Sequence, residues 1–303
     1  ILQRVTDGYR KLRNTARFAL GNLHGFDPVR DTVSDDELLE IDRWALAKLN
    51  EVVGKVRAAY DGYEFHLVYH LLSEFCTVTL SARYFDIIKD RLYTFAPRNQ
   101  ARRSAQTALY RIVDALARLL APILVFTADE IWENLPKGTG AAGQGKTTSV
   151  HLALFPEVQP IQEADLLGQW ETIFKLREEV LRELEAKRIA KEIGSSLEAR
   201  VKLHVSQDIY DLLKPYQDTS QLRYIFIVSQ TALPEVDLKG NTPETTSSIR
   251  VEVERAEGQK CERCWNYSTH VGESAKYPTV CERCVEALEE IDSETSSGRT
   301  QEQ

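Results

Sequence analysis

Four cysteines near the C-terminus constrain this chain more than any other feature of its sequence. They form two Cys-Glu-Arg-Cys hooks, one made by Cys261 and Cys264 and the other by Cys281 and Cys284, with sixteen residues between the hooks. Paired C-x-x-C hooks at such a separation are typical of zinc sites, because each hook presents two thiolates to one side of the ion. Four sulfur ligands complete a tetrahedral shell, so the spacing predicts one structural zinc per chain and leaves no position for a reactive water.

The alternative for these four cysteines is a pair of disulfides. Disulfides are typical of exported proteins and of small domains that lack a sufficient core. The chain has 303 residues and no charged-then-apolar segment at its start, so the sequence favours zinc and a cytoplasmic location over disulfides and export. The fifth cysteine, Cys76, lies among apolar residues, and we expect it to be a small buried side chain.

The composition is that of a globular protein of two or three domains. Hydrophobic residues make up 43% of the chain and charged residues 28%, and no apolar run is long enough to cross a membrane. The chain begins at Ile1 and contains no methionine. We therefore expect it to be a piece of a longer protein, or a processed product, with part of the chemistry lying elsewhere.

The spacing of apolar residues predicts a mainly α fold. In the first half they recur at steps of three and four, which places them on one face of each of several helices. Helices joined by short links form an antiparallel bundle. The predicted helices run from about 5 to 23, from a capping box at Ser34–Glu37 to about 59, from about 63 to 93 with Ala82 on the core face, up to Pro122, and to about Trp132.

After Pro136 the pattern changes. A long charged helix is predicted from about 164 to 192, with Gly194 as its C-cap, and strands are predicted at 197–205, 224–228 and 249–253. The expected fold is thus a helical bundle followed by a small α/β junction domain and a four-cysteine zinc finger. The predicted boundaries are 1–136 for the bundle, 137–156 for a flexible loop and a short strand, 157–255 for the junction domain, 256–290 for the finger and 291–303 for a disordered tail.

Three motifs resemble reactive sites but lack the necessary context. Gly140–Thr147 has the P-loop spelling, yet no buried strand precedes it and no helix follows, so a solvated loop is expected. His66 and His70 lie one helical turn apart without the glutamate that would act as a base, so they are expected at the edge of the core. His270 lies inside a zinc loop whose ligand shell is already full. The sequence therefore predicts no catalytic residue in this chain.

The first predicted helix carries a basic ridge. The net charge of −8 argues against a nucleic-acid partner, but Arg10, Arg13 and Arg17 recur at three and four residues with no acid between Asp7 and Asp27. Guanidinium groups on such a ridge bind phosphates and stack on bases, so the ridge is a candidate RNA-binding surface. The alternative is a solvated charged face.

Several segments, in order along the chain, resemble bacterial isoleucyl-tRNA synthetases, which are class I aminoacyl-tRNA synthetases. The bundle segments are similar to the anticodon-binding bundle of that family and are shared with the valine and leucine enzymes. The junction segment and the terminal finger narrow the resemblance to the isoleucine enzymes. The resembling segments are Tyr9–Phe18, Gly21–Leu23, Tyr84–Tyr93, Leu120–Trp132, Ser149–Pro156, Lys191–Val201, Cys261–Trp265 and Cys281–Cys284.

This resemblance implies that a parent enzyme attaches isoleucine to its tRNA with ATP, and that this chain holds the anticodon stem and loop. It also implies a monomer with one structural zinc. The H-I-G-H and K-M-S-K-S signatures and the editing domain of the family are absent from the chain. We therefore expect ATP and isoleucine to bind only through a catalytic part outside this chain, which alone is expected to be inactive.

The resemblance also assigns roles to individual residues of the chain. Arg13 is placed nearest an anticodon base, whereas Arg10 and Arg17 are expected to contact phosphates. Trp265, beside a zinc ligand, is expected either to stack on a base or to cover the zinc site.

Two functions of other classes stay open at this point. Hooks of this type also resemble the finger of formamidopyrimidine-type DNA glycosylases. Those repair enzymes use an N-terminal proline and have no helical bundle of this kind, whereas this chain has Ile1 at position 1. A non-catalytic RNA-binding or adaptor protein could share the whole architecture. Only the parent gene, or an aminoacylation assay on the parent protein, separates that possibility from a synthetase.

Overall fold

A computed structural model describes residues 2–137, 148–159, 163–235 and 249–299. The chain divides into two compact units, the first comprising Ile1–Leu92 and Pro97–Gly168 and the second comprising Tyr93–Ala96 and Gln169–Gln303. Within the ranges that the structure describes, no helix has the length and apolar character needed to span a membrane. The P-loop spelling at 140–147 lies outside these ranges, as does most of the predicted flexible loop.

The first unit is a helical bundle, as the sequence predicts. Contacts between α1 and α5, between α2 and α5, and between α5 and α6 make α5 the central helix of these pairs. The helices of this region are α1 (Leu2–Asn22), α2 (Glu40–Asp61), α3 (Phe65–Glu74), α4 (Asp86–Thr94), α5 (Gln100–Leu120) and α6 (Val125–Asn134).

The apolar stripe of α1 packs into the bundle. Leu12, Ala16 and Leu23 are all at most 5% exposed, and the Tyr9 hydroxyl shares a 3.0 Å hydrogen bond with Thr127 of α6. Burying a large apolar side chain contributes about 1.5–3 kcal/mol, so this face fixes the rotation of α1. The basic ridge on the remaining face is consequently left in contact with solvent.

The third predicted helix is not uniform. Between α3 and α4 it widens into a π-helix over Phe75–Phe85, in which the Ser81 hydroxyl donates a 2.7 Å hydrogen bond to the carbonyl of Cys76. A π-helix bonds to the fifth residue rather than the fourth, so the buried face shifts along the sequence. The prediction that Ala82 faces the core is therefore wrong: Ala82 is exposed, and Tyr84 is fully buried instead.

The predicted capping box is present but caps a different element. The Ser34 N–H lies 3.3 Å from the Glu37 carboxylate, and the box opens a single 3-10 turn at Asp35–Glu37. Helix α2 begins only at Glu40. A capping box satisfies free N–H groups at any helical start, so the motif alone does not determine the length of the helix that it begins.

The short strand predicted between Ser149 and Pro156 is wrong. The described residues form a 3-10 turn at Val150–Leu152, and the Asp129 carboxylate of α6 accepts hydrogen bonds from the Ser149 hydroxyl (2.7 Å) and the Val150 N–H (3.1 Å). The hydrogen bond from Ser149, reinforced by that from Val150, lowers the pKa of Asp129. A carboxylate on another helix thus folds this segment into a turn.

A buried ionic cluster joins four elements of the bundle. Asp42 of α2 is completely buried, and its carboxylate accepts hydrogen bonds from Tyr84 (2.6 Å), from Arg91 of α4 and from Ser104 of α5. Burial, followed by the charge of Asp42, raises the pKa of Tyr84 well above its usual value. A buried charge is tolerated when it is paired and hydrogen-bonded, and the Asp42 carboxylate meets both conditions.

The second unit contains a three-stranded sheet with helices, as predicted for a small α/β domain. In the sheet order β2-β1-β3, β1 is parallel to β2 and antiparallel to β3, with Val201 opposite both Thr231 and Val253. The elements are α7 (Ala164–Ile189, in this unit from Gln169), β1 (Ala199–His204), α8 (Gln207–Asp218), α9 (Leu222–Phe226), β2 (Gln230–Ala232), β3 (Arg250–Arg255), β4 (Gln259–Lys260), β5 (Tyr267–Ser268) and α10 (Glu282–Arg299).

The strand predicted at 224–228 is wrong. Those residues overlap α9, a single helical turn that ends where Ile227 adopts a left-handed conformation at φ 58°. The strand that pairs with β1 comes later, at Gln230–Ala232. A short apolar run fits a buried helical turn as well as a buried strand, so its period does not distinguish the two.

The end of α7 also differs from the prediction. The helix stops at Ile189 rather than near Glu192, and Lys191, not Gly194, adopts the left-handed conformation, at φ 60°. The Glu192 N–H then bonds to the Lys187 carbonyl at 3.0 Å. This bond to the fifth residue back is that of a Schellman motif, formed here with lysine where glycine is usual.

Helix α10 continues through much of the segment for which the sequence predicts a disordered tail. Its backbone is helical as far as Arg299, and Asp292 accepts hydrogen bonds from Lys276 and Tyr277. The hydrogen bond from Lys276, with that from Tyr277, lowers the pKa of Asp292. These two partners extend the ordered part of α10 beyond the finger core.

Hydrogen bonds also tie the finger residues to the sheet within the second unit. The Ser229 hydroxyl accepts from the Tyr267 N–H of β5 (2.7 Å) and donates to the Leu197 carbonyl (2.5 Å). The Ala256 N–H donates to the Glu198 carbonyl at 2.7 Å. The boundary predicted at residue 256 therefore falls inside a continuous hydrogen-bonded region.

Candidate metal centre and nucleic-acid interface

The four hook cysteines converge, as their spacing predicts. The Sγ atoms of Cys261, Cys264, Cys281 and Cys284 all lie within 4.8 Å of one another, and all four residues are buried. The first hook lies after the β4 strand and the second at the start of α10, where the Val285 N–H bonds to the Cys281 carbonyl at 3.0 Å. Each hook turns its two thiols toward the other hook.

The distances fit a zinc ion rather than disulfides. The Cys264 and Cys281 sulfurs are 3.7 Å apart, and all five cysteines of the chain are free thiols. A disulfide joins its sulfurs at about 2.05 Å, whereas a tetrahedron with zinc–sulfur bonds of about 2.3 Å has edges of about 3.8 Å. The cluster therefore has the donor type, the number of ligands and the spacing for one structural Zn²⁺.

The thiols perturb one another. Hydrogen bonds from Cys281 and Cys284 lower the pKa of Cys264, whereas the hydrogen bonds that they make with Cys264 raise the pKa values of Cys281, to about 11, and of Cys284. In addition, the Cys281 N–H points to the Cys261 sulfur at 3.3 Å. Because zinc binds thiolates, a bound ion would take the place of the protons that these sulfurs share.

A glycine allows the finger hairpin to close. Gly258 has φ +88°, and a Cβ atom placed there would lie 2.2 Å from the carbonyl oxygen of Ser268. The adjoining strands pair Gln259 with Ser268 and Lys260 with Tyr267. Only a residue without a Cβ fits this approach, so Gly258 sets the hairpin from which the first hook emerges.

Trp265 follows the first hook in a strained backbone conformation. Its φ is 65°, its N–H bonds to the Cys261 carbonyl at 2.9 Å, and 62% of its surface is exposed. The Lys260 ammonium lies 5.8 Å from the ring centre. Non-glycine residues adopt such a conformation mainly where surrounding structure or function requires it. The indole is thus exposed to solvent, with a cation close to its ring.

The apolar contacts of the cysteine cluster come from other residues. Partly buried hydrophobic side chains that pack against it are Val271, Tyr277, Val285 and Leu288. These four side chains cover part of the cysteine cluster.

The three arginines of the basic ridge are exposed on α1 but differ in their partners. Arg10 lies 3.6 Å from Asp7, one turn earlier, and Arg13 forms a 2.8 Å ion pair with Glu130 of α6. Within the described ranges, no ion pair or hydrogen bond involves the Arg17 side chain. Asp7, which pairs with Arg10, lies on α1 itself, whereas Glu130, which pairs with Arg13, lies on another helix and is not revealed by inspection of α1 alone.

The other singled-out residues give no further site. His66 and His70 are exposed, not at the core edge, and among the described residues the only cluster spaced to hold a metal is that of the four cysteines. His270 lies 2.9 Å from Glu273, and this hydrogen bond raises the pKa of the imidazole. Cys76 is 1% exposed, and burial raises the pKa of its thiol to about 12, which confirms a buried, unreactive side chain.

Comparison with known proteins identifies the larger part of the chain. Residues 42–203, more than half of the sequence, match the family model described as the anticodon-binding domain of tRNA ligase. The chain belongs to this family. Residues 258–287 match a second model, described as a zinc finger found in FPG and IleRS. Since that finger model covers both protein groups, the match over 42–203 is what disfavours a glycosylase.

Curated relatives of the chain include isoleucine–tRNA ligases of several bacteria. The protein of Syntrophotalea carbinolica is 49% identical over 290 residues, which cover 95% of this chain and 30% of the relative. That of Desulforamulus reducens is 45% identical over 298 residues, covering 96% and 31%. That of Thermoanaerobacter sp. strain X514 is 44% identical over 294 residues, also covering 96% and 31%. The chain thus spans about three tenths of the length of the curated relatives that it matches.

Two arginines near the metal centre were not singled out by the sequence analysis. Arg263 and Arg283 occupy the same place in the two hooks, and the guanidinium of Arg263 lies 3.5 Å from the Cys284 sulfur. The repeated C-E-R-C sequence could have drawn attention to these arginines. Zinc needs only the cysteines of each hook, so an arginine that recurs inside both hooks is not explained by metal ligation.

Proposed function

We propose that this chain is the part of an isoleucine–tRNA ligase that recognises the tRNA anticodon. The observation that carries the proposal is the 49% identity of 95% of the chain to an isoleucine–tRNA ligase, together with the anticodon-binding family match. The exposed arginines of α1 and the exposed ring of Trp265 support it, because single-stranded RNA loops are bound by cations and by stacking.

The parent protein, in this proposal, uses ATP to attach isoleucine to its tRNA in the cytoplasm, as a monomer. The chain lacks the ATP-binding signatures of the family and spans about three tenths of its relatives. Alone it is therefore expected to show no isoleucine-dependent exchange of pyrophosphate into ATP. Measurable exchange by the purified chain would place a nucleotide site within it and overturn this part of the proposal.

The zinc ion in this proposal is structural. The four thiolates would hold it and fix the loop that carries Trp265, and a four-sulfur shell leaves no open position for a substrate. The exposed indole would then stack on a base of the tRNA, with Lys260 next to it available for a phosphate.

The arginines of α1 divide into two proposed roles. Arg10 and Arg17 contact phosphates, whereas Arg13 lies nearest an anticodon base. The ion pair between Arg13 and Glu130 is about half exposed on both sides, and such surface pairs contribute only about 0.2–1 kcal/mol. RNA can therefore displace Glu130 from Arg13 at little cost.

A salt titration tests the proposal. Binding of the chain to isoleucine tRNA, to another tRNA and to a DNA duplex with an abasic site is measured at several salt concentrations. We expect weak binding that prefers isoleucine tRNA and falls steeply with salt, since each neutralised phosphate contributes to the slope. Preference for the damaged duplex would indicate a glycosylase. Equal binding of the two tRNAs would indicate a generic RNA-binding module and contradict the role of Arg13.

Alanine substitutions separate the proposed roles. Arg10→Ala or Arg17→Ala should weaken binding of both tRNAs alike and flatten the salt slope by about one unit, because one phosphate contact is lost. Arg13→Ala should cost about 1–3 kcal/mol on isoleucine tRNA and remove the preference between tRNAs, if the arginine reads a base edge.

A carboxylate substitution tests the Arg13 assignment from the other side. Glu130→Gln removes the competing partner of Arg13, so tRNA should bind more tightly, by at most the roughly 0.2–1 kcal/mol that such a pair contributes. The matched control is Glu133→Gln, an exposed glutamate on the same helix, which changes the net charge identically. Equal effects of the two variants would mean that Arg13 has no special position.

A further inference from the structure

Both Cys-Glu-Arg-Cys hooks carry an arginine between their cysteines, and both arginines reach the same short segment of chain. Arg263 belongs to the first hook and Arg283 to the second. The segment is Tyr93–Ala96, at the end of α4, which groups with the second unit although the residues before and after it belong to the first.

Arg263 joins a zinc ligand to this segment. Its Nη1 atom lies 2.5 Å from the carbonyl oxygen of Thr94 and 3.5 Å from the sulfur of Cys284. An arginine Nη1 carries two hydrogens, so one N–H is available for each acceptor. Thr94 is 8% exposed and Cys284 fully buried, so the guanidinium bridges two acceptors that are shielded from water.

Arg283 contacts the next residue of the segment by stacking. Its guanidinium carbon lies 5.5 Å from the ring centre of Phe95 and 5.4 Å from that of Tyr224, and its Nη1 lies 3.3 Å from the Tyr224 hydroxyl. The two rings meet edge to face with their centres 6.3 Å apart. A cation over two aromatic rings in a partly desolvated site is a favourable arrangement.

A zinc ion shared by the two hooks would hold both arginines in place. Each arginine lies between two ligands of the same ion, so its backbone is fixed when the hooks share that ion and is released when they do not. Zinc with four thiolates carries a net charge of about −2, and Arg263 brings positive charge against one of these sulfurs. Groups that hydrogen-bond to metal ligands support metal affinity.

We propose that zinc in the cysteine cluster and the docking of Tyr93–Ala96 are coupled through Arg263 and Arg283. With zinc bound, the two arginines clamp the segment. By linkage, the docked segment strengthens zinc binding by the same factor with which zinc strengthens docking. Arg263 is thus a positioning residue that connects the metal centre to a part of the chain far away in sequence.

Hydrogen exchange and zinc competition test this coupling in the full chain. Exchange is followed by mass spectrometry in peptides that contain residues 93–96, for zinc-loaded and chelator-stripped protein, and zinc affinity is measured against a chromophoric chelator. We expect faster exchange at 93–96 after stripping. Arg263→Gln should lower zinc affinity about 10- to 100-fold, the usual effect of losing a partner of a metal ligand, and should raise exchange at 93–96 even with zinc bound.

The matched control is Arg182→Gln, an arginine on α7 with 69% of its side chain exposed, which should change neither quantity. Exchange at 93–96 that does not respond to zinc would refute the coupling. So would a zinc affinity of Arg263→Gln within about twofold of the unmodified chain.

A variant outside the finger separates coupling from a folding defect of the hooks. Phe95→Ala leaves all four cysteines and both arginines in place, yet the coupling requires it to lower zinc affinity several-fold. Arg283→Gln should loosen 93–96 with a smaller loss of zinc, because its guanidinium contacts two aromatic rings and a hydroxyl. If Phe95→Ala binds zinc as tightly as the unmodified chain, the coupling is wrong, whatever Arg263→Gln does.

Discussion

Replacing Trp265 by asparagine distinguishes a ring that stacks on RNA from a ring that covers the zinc site. Asparagine tolerates the left-handed conformation that Trp265 adopts at φ 65°. The substitution therefore removes the indole while leaving the backbone of the hook free to keep its shape. A ring that stacks contributes only when RNA is bound, whereas a cover contributes to the free protein.

The structure gives the size of each effect. With 62% of Trp265 exposed, the remaining 38% of a large aromatic residue is roughly 90 Å², which is worth at most about 2 kcal/mol at about 25 cal/mol per Å². Asparagine adopts the left-handed conformation at a lower cost than tryptophan, and this difference returns about 1–2 kcal/mol to the stability of the variant. The stability of the free finger should therefore change by less than about 1 kcal/mol. Loss of one stacked base should cost about 1–3 kcal/mol of binding, a fall of about 5- to 150-fold in tRNA affinity.

The assay compares zinc affinity, thermal unfolding and tRNA affinity of Trp265→Asn with those of the unmodified chain. Tyr63→Asn is the matched control, since Tyr63 is 81% exposed and also has a left-handed backbone, at φ 57°, but lies outside the finger and outside α1; it should leave all three quantities unchanged. A variant that loses zinc or unfolds early while tRNA affinity holds would show that the indole covers the metal site, and would refute the stacking role.

Three further perturbations concern other parts of the fold. Asp42→Asn leaves Arg91 without its buried partner and should lower the free energy of unfolding in urea by about 3–5 kcal/mol. The control Asp35→Asn, at a carboxylate that is 79% exposed, should cost less than about 1 kcal/mol, and equal losses would mean that the buried cluster contributes no more than a surface pair. Elemental analysis should find about one zinc per chain, and chelation should unfold residues 256–290 while circular dichroism retains the bundle helices; freshly prepared protein with oxidised hooks and no metal would contradict this. Burial raises the pKa of Cys76 to about 12, so its thiol stays protonated below that pH. Iodoacetamide at about pH 8 should therefore modify the four hook cysteines of zinc-stripped protein but not Cys76, and early modification of Cys76 would show that the bundle opens.

The helices and the metal ligands could be predicted because their signals are local. The four-and-three spacing of Leu12, Ala16 and Ala19 requires only that one face be buried, and the hooks require only that four sulfurs meet one ion. In both cases the partner is generic, an apolar core or a cation, so its position elsewhere in the chain need not be known.

The features that escaped prediction depend on partners distant in sequence. The carboxylate that turns Ser149–Leu152 lies on α6, and the acid that pairs with Arg13 lies there too. In the sequence, Asp42 has the character of a surface residue at the start of α2. Its burial becomes evident only from its hydrogen bonds with Tyr84 and Arg91. The π-helix has no local signature in the apolar pattern, because its wider turns convert one helical register into another without a break in the helix.

The double hydrogen bond of Ser229 has a consequence for transplanting this finger. Its hydroxyl accepts a hydrogen bond from the Tyr267 N–H and donates one to the Leu197 carbonyl. One small side chain therefore joins the finger hairpin to the sheet. A fragment starting at residue 256 would retain every zinc ligand yet lose this hydroxyl and the Glu198 carbonyl that receives Ala256. A foreign scaffold that receives this finger must therefore supply a hydroxyl and a carbonyl acceptor at matching positions, because the metal alone does not replace these hydrogen bonds.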